Sequence, residues 1–159
     1  MFNLSKYSNN KIYKKNYIKY ILWEFLSLIY FNTSLPGSKV RVLILNLFGC
    51  SLGKKIIIKP KVKIKYPWKL KIGNYSWIGE DVWIDNIAEV TIGSNTCISQ
   101  GVYICSASHN FESKEFELLL QPVDIGNNCW IAAKCIIGPK SKILDGTFLK
   151  IGTVYKEKF

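Results

Sequence analysis

The stretch IGNYSWIGEDVWIDNIAEVTIGSNTCISQGVYIC, residues 72–105, sets an isoleucine at every sixth position with one slip of two residues. Ile72, Ile78 and Ile84 lead three hexads, and Ile92, Ile98 and Ile104 lead three more. Ile125, Ile131, Ile137 and Ile143 resume the spacing after a non-repeating segment from Asn110 to Asp124. The fifth position of each hexad is Ser76, Val82, Ala88, Thr96, Val102, Ser108, Cys129, Cys135, Ser141 or Thr147, none larger than valine. Upstream, Leu52, Ile58 and Ile64 keep the period, while Trp68 breaks the small-residue rule and marks a degenerate first coil.

A sustained period of six is the mark of a solenoid. An amphipathic helix needs apolar spacings of 3 and 4, and a β-sandwich shows turn signals every 8 to 12 residues. The spacing therefore predicts an all-β fold, a parallel β-helix with one short strand per face. The aliphatic residue points to the axis and the small residue fills the corner. Gly73, Gly79, Gly93, Gly126 and Gly138 are expected to relax the turns, and the coils to stack about 4.8 Å apart.

At 159 residues the chain is read as one domain with an N-terminal appendage: a basic, aromatic helical region at 1–48 and the β-helix at 49–159. A hydrophobic content of 48% and a mean hydropathy of +0.09 exclude a disordered chain. The cysteines Cys50, Cys97, Cys105, Cys129 and Cys135 are odd in number and form no Cys-x-x-Cys pair, so they read as small packing residues rather than a disulfide framework or a zinc site.

The net charge of +11 is uneven. Residues 1–71 hold 15 Lys/Arg against one acid, Glu24, giving +14, whereas residues 72–159 hold 7 against 10, giving −3. Such a basic half suits anionic lipid, nucleic acid or phosphorylated ligands, and equally a composition drawn from an AT-rich genome. The first twenty residues are polar and lysine-rich and show no cleavable signal peptide. The apolar run Ile18 to Phe31 is too short to span a bilayer and contains Glu24, so it reads as a helix lying on a membrane surface or packed on the main domain, with helix expected over 7–31.

The hexads, with KYPWKLKIGNYSWIGEDVWI (65–84), VTIGSNTCISQGVYICSASHNF (90–111) and VDIGNNCWIAAKCIIGP (123–139), resemble the hexapeptide-repeat acetyltransferases, nearest the colanic-acid and exopolysaccharide O-acetyltransferase branch. The N-terminal region and LFGCSLGKKI (47–56) share that resemblance less specifically. It implies a left-handed β-helix with an external loop at about 110–124, acetyl-CoA as acetyl donor, a saccharide or lipid-linked saccharide acceptor, a homotrimer, and a cytoplasmic place, peripheral on the membrane if the N-terminal helix docks there. No metal and no nucleic acid are expected. A γ-carbonic anhydrase of the same fold needs three histidine zinc ligands, and this chain has one histidine.

That histidine, His109, ends the hexad led by Ile104, at the mouth of the loop. Imidazole titrates near ~6.5 when unperturbed and suits proton removal from an alcohol. The resemblance makes it the catalytic base in a direct transfer, with backbone amides stabilising the oxyanion. Many relatives place an acid after the histidine; here Asn110 follows, leaving a backbone carbonyl, Glu112, Glu115 or Glu117 to orient the ring. Cys105 is read as packing rather than as a nucleophile. By family geometry Asp85 and Asn86 contact the sugar, while Trp130, Ala132 and Ala133 lie near coenzyme A.

The tail GTFLKIGTVYKEKF (146–159) departs from the usual closing coil, so the strands beyond about Lys142 are expected to fray. Two alternatives stay open: an acyltransferase taking its acyl group from an acidic acyl carrier protein, and a non-catalytic β-helix that oligomerises or sits on membranes.

Overall fold

The computed structural model describes residues 2–8 and 17–157. Three strands make each coil. The first contains β1 (Ser51–Leu52), β2 (Ile57–Ile58) and β3 (Lys63–Ile64); the second, β4 (Leu70–Ile72), β5 (Trp77–Ile78) and β6 (Trp83–Asp85); the third, β7 (Val90–Ile92), β8 (Cys97–Ile98) and β9 (Tyr103–Cys105). A hairpin of β10 (Ala107–His109) and β11 (Leu118–Leu120) interrupts the coils. The fourth coil follows with β12 (Val123–Ile125), β13 (Trp130–Ile131) and β14 (Ile136–Ile137), and the fifth with β15 (Lys142–Ile143), β16 (Phe148–Leu149) and β17 (Val154–Tyr155).

Corresponding strands pair in parallel across the coils, so β1-β4-β7-β12-β15, β2-β5-β8-β13-β16 and β3-β6-β9-β14-β17 form the three walls of a prism. Leading residues stack on leading residues: Ile72 pairs with Ile92, and Ile92 with Ile125. Ile58, Ile78, Ile84, Ile92, Ile98, Ile104, Ile131 and Ile137 are almost wholly buried along the axis. Each strand is too short to hold itself, and its stability comes from the neighbouring coil.

The turns are made differently from the sequence expectation. At regular corners the fourth position of the hexad takes a left-handed backbone, as in Tyr75 (φ 59°), Asp81 (57°), Asn95 (53°), Gly101 (66°), Asn128 (56°) and Gly146 (72°). The second-position glycines do not. A Cβ on Gly73 would lie 2.5 Å from the Ser94 amide nitrogen, and one on Gly93 2.5 Å from Gly126 carbonyl carbon. These glycines let successive coils approach, which is a packing demand and not a turn conformation.

The small fifth position does more than fit the corner. The Ser76 hydroxyl donates to the Gly93 carbonyl (2.7 Å) and Thr96 to Gly126 (2.8 Å), tying each coil to the next. A second ladder runs beside it: Lys54 N–H donates to Asn74 Oδ1, Asn74 N–H to Ser94 Oγ, Ser94 N–H to Asn127 Oδ1 and Asn127 N–H to Asp145 Oδ1. Val82, Ala88 and Val102 only fill their corners, and Ser108 takes no part, since its strand has left the prism.

The register continues through Leu149 and Tyr155, and the fifth coil is bonded to the fourth through Trp130 N–H to Thr147 O, Ala132 N–H to Leu149 O and Ile136 N–H to Thr153 O, so the strands beyond Lys142, expected to fray, are formed. The external loop expected at about 110–124 is present and takes the form of a hairpin from Ala107 to Leu120, with Val123 and Asp124 joining the fourth coil.

At the N-terminal side, α1 (Tyr17–Leu26) runs into a wider π turn (Ser27–Phe31), and α2 (Ser38–Leu47) follows. Of the helix expected over 7–31, residues 9–16 lie outside the described residues, and Tyr7 is extended (φ −67°, ψ 132°). The helices pack on the first coil. Trp23 is fully buried against Phe31 and Phe48, and its indole donates to the Ile64 carbonyl (2.8 Å). Ser38 Oγ accepts from the Ile58 amide.

Candidate active site

The chain leaves the prism after β9. Ser106 anchors the departure: it is fully buried, accepts from the Ala88 amide (2.9 Å) and lies within hydrogen-bond distance of the Asp85 and Ala88 carbonyls. In the hairpin His109 stands opposite Leu118.

The half-buried imidazole is fixed from three sides. Its Nδ1 lies 2.9 Å from the Phe116 carbonyl oxygen. A carbonyl can only accept, so Nδ1 carries a proton, and in the neutral ring the lone pair is on Nε2. The Phe116 ring stacks on it at 4.4 Å and 5°, and Tyr7 meets it edge-on at 5.3 Å. Phe116 has φ 49°, a left-handed backbone that costs a bulky residue about 1–2 kcal/mol. Such strain is held where the surrounding structure over-determines it.

The orienting group is thus the carbonyl of Phe116 and not a loop glutamate. Glu117 instead accepts from Asn110 Nδ2 (2.9 Å), and its hydrogen bond with Ser113, followed by those with its own backbone and Asn110, holds its carboxyl below the usual range. Residues 2–8 close over the hairpin from outside: the Asn3 amide donates to the Lys114 carbonyl (3.0 Å), and Phe2 packs on Phe116 at 4.7 Å. Neither Phe116 nor Tyr7 belongs to the repeat, so no periodic signal marked them.

Asp85 ends β6, directly opposite Cys105 in the wall from which the hairpin departs. Its carboxylate is 3.1 Å from the Lys65 ammonium and accepts from the Tyr103 hydroxyl at 3.3 Å. Burial first, then the neighbouring Cys105 thiol and the Asp85 carboxylate, push the Tyr103 phenol upward. Asp85 borders an open cleft with Trp83, Lys63 and Lys65 on one side and Tyr20, Glu24 and Ser27 of the N-terminal helical segment on the other.

Asn86 is a correction. It is fully buried, its Oδ1 accepts from the Tyr66 amide (3.0 Å) and its Nδ2 donates to the Tyr66 carbonyl (2.7 Å), so it clamps two coils together and has no face toward an acceptor. The Cys105 thiol donates to the Ala107 carbonyl (3.1 Å), a packing arrangement.

Trp130 stands on another wall. It is 53% exposed, donates from its indole to Ser99 Oγ (3.0 Å) and leans on Phe148. Ala132 is buried, with its amide bonded to the Leu149 carbonyl, and the half-buried Ala133 accepts from the Gly152 amide. Asp85 belongs to the wall from which the hairpin of His109 departs, whereas Trp130, Ala132 and Ala133 lie along a different face. Outward positions of the Trp130 wall are Ile57, Trp77, Cys97, Trp130 and Phe148; those of the Asp85 wall are Lys63, Trp83, Tyr103, Ile136 and Val154. Both walls are mainly apolar outside. Among the described residues no group of three His, Cys, Asp or Glu side chains is placed to hold a metal ion.

No family model matches the chain. It is similar to the protein of Escherichia coli named colanic acid biosynthesis acetyltransferase WcaF, 44% identical over 107 residues that cover 67% of this chain and 59% of that one. It is also similar to the galactoside O-acetyltransferase of Escherichia coli, 29% identical over 129 residues, covering 78% and 63%. The chain thus spans less than two thirds of the length of these curated relatives. A solved galactoside acetyltransferase in complex with coenzyme A superposes with a TM-score of 0.79 at 25% identity, covering 89% of this chain and 72% of that chain. The likeness fixes the hand of the coil as left.

Proposed function

Because the chain belongs to the hexapeptide-repeat, left-handed β-helix acetyltransferases, we propose that it transfers an acetyl group from acetyl-CoA to a sugar hydroxyl in bacterial surface-polysaccharide biosynthesis, with His109 as general base. The observation that carries this reading is the tautomer of His109: a proton fixed on Nδ1 by the Phe116 carbonyl leaves Nε2 free to accept one from an alcohol. Acetyl-CoA, when bound, would supply the acetyl thioester. The acceptor oxygen gives its proton to Nε2 as it attacks the acetyl carbonyl carbon, and the imidazolium returns that proton to the departing sulfur. No bond to the protein is formed. Asp85, held by Lys65 and Tyr103, receives a sugar hydroxyl beside the hairpin.

Trp130 offers a broad exposed ring for the pantetheine arm, and the small Ala132 and Ala133 keep that stretch of wall low. These residues and His109 lie on different parts of one chain, which supports a homotrimer whose sites are closed between neighbouring prisms. The apolar outer ladders of two walls are the surface such an assembly would bury.

The test is an assay of purified chain with acetyl-CoA, acetyl acyl carrier protein and a panel of neutral and lipid-linked saccharides, read by mass spectrometry, with mass in solution from light scattering. Acetyl ester formed from acetyl-CoA by a trimer is the expected result. Transfer only from the carrier protein, or turnover by a strict monomer, would replace the donor or the shared site respectively.

A further inference from the structure

Helix α1 and the π turn after it are apolar on two opposite sides. Trp23 and Phe31 face the first coil and are fully buried. Ile18, Ile21, Leu22, Phe25, Leu28 and Ile29, spaced by threes and fours, face away from it and are 48–75% exposed. A contiguous exposed apolar row of this size marks a contact surface. No charge interrupts the row: Lys19 reaches back over the Trp68 ring (5.0 Å), and Glu24 lines the cleft. On α2, Leu43 and Leu47 add to the exposed apolar surface at the same end of the prism.

We propose that this face docks the chain on an anionic lipid bilayer, with α1 parallel to the surface and its apolar row in the headgroup boundary. Two observations select a bilayer surface. The exposed row runs along α1 and its π turn without a charge, as the apolar face of a helix lying in an interface does. The sequence of this half is cationic, with 15 Lys/Arg against one acid in residues 1–71, and on the first coil Lys54, Lys55, Lys59 and Lys63 stand outside the ion pairs of the described residues, Lys63 lining the cleft beside α1 and Lys55 and Lys59 lying over the Tyr75 and Trp77 rings. Anionic headgroups are attracted to that rim, whereas a second copy would bring two like-charged ends together. The proposal does not depend on the chemistry at His109.

Flotation of the purified full chain with vesicles of phosphatidylcholine, alone or mixed with phosphatidylglycerol, tests it. The expected result is strong partition onto the mixed vesicles, and at least about tenfold weaker partition for neutral vesicles and for the double variant Leu22→Glu/Phe25→Glu. Circular dichroism should show the variant's melting unchanged, since both side chains point outward. Phe25→Trp keeps the apolar row, so its added emission should be quenched by brominated phosphatidylglycerol vesicles. Equal flotation of wild type and double variant, absence of quenching, or a change in solution mass with flotation unaltered would each overturn the proposal, the last by assigning the face to self-association.

Discussion

The wall of the prism and the hairpin that leaves it follow opposite rules. Every residue of a middle coil has a counterpart above and below: Ile98 pairs with Ile78 and Ile131, and Thr96 bonds to the corners on either side. Nothing in the hairpin is repeated. His109, Phe116 and Tyr7 have no counterparts in other coils, and Phe116 takes outside the repeat the left-handed backbone that the coils give to their corners, on asparagine, aspartate, lysine, glycine and once on Tyr75. Redundant contacts make a wall stable but chemically uniform, so the singular group sits where the repeat is broken and the neighbouring coils hold the break in place.

If that division is right, the largest effect comes from the hairpin and leaves the fold alone. His109→Ala should lower acetyl transfer by roughly 10² to 10⁴ in steady-state kinetics with little change in thermal midpoint. A parallel loss of stability would erase the contrast. A wall substitution should do the reverse: Ile98→Ala, in the fully buried axis, should cost about 2–5 kcal/mol of unfolding free energy in urea titration. A smaller cost would mean the coils collapse around a cavity more readily than close stacking allows.

Gly93→Ala sharpens the account of the wall itself. Its Cβ would meet Gly126 backbone at 2.5 Å, so the cost should be about 1–3 kcal/mol, although alanine is otherwise comfortable at an ordinary φ. A neutral outcome would return this glycine to the role of a turn residue. In the hairpin, Phe116→Ala removes the stacked ring and keeps the carbonyl, and should reduce turnover by up to about tenfold, less than the loss of the base.

The smallest effect is acid sensitivity at the end of the side-chain ladder. Asp145 accepts from the Asn127 side chain and amide, and those bonds hold its carboxyl below the usual range. A depressed folded pKa means the contribution is present above the unfolded value, near ~3.9, and disappears as pH falls through the folded one. The thermal midpoint of the wild type should therefore drop more steeply below about pH 4 than that of Asp145→Asn. Parallel curves would show the exposed carboxylate contributes nothing measurable there.

The period of six alone determined the parallel β-helix, its buried isoleucines and the point at which the repeat stops, because an axial position tolerates only an aliphatic side chain and each coil must repeat that demand. The same regularity singled out His109 as the titratable group at the break. The sequence could not assign the glycines, since close approach between coils and a left-handed turn select the same residue, and only the stacked backbones distinguish them. Nor could it separate Asp85 from its neighbour Asn86: one carboxylate faces the cleft while the other side chain clamps Tyr66, a difference set by which way each points from the wall. The tautomer of His109 was likewise decided in three dimensions, because Phe116 supplies its carbonyl through hairpin geometry and Tyr7 reaches the ring from far away in the chain. Contacts that recur every six residues are written in the sequence many times over, whereas a contact made once between distant segments leaves no pattern to read.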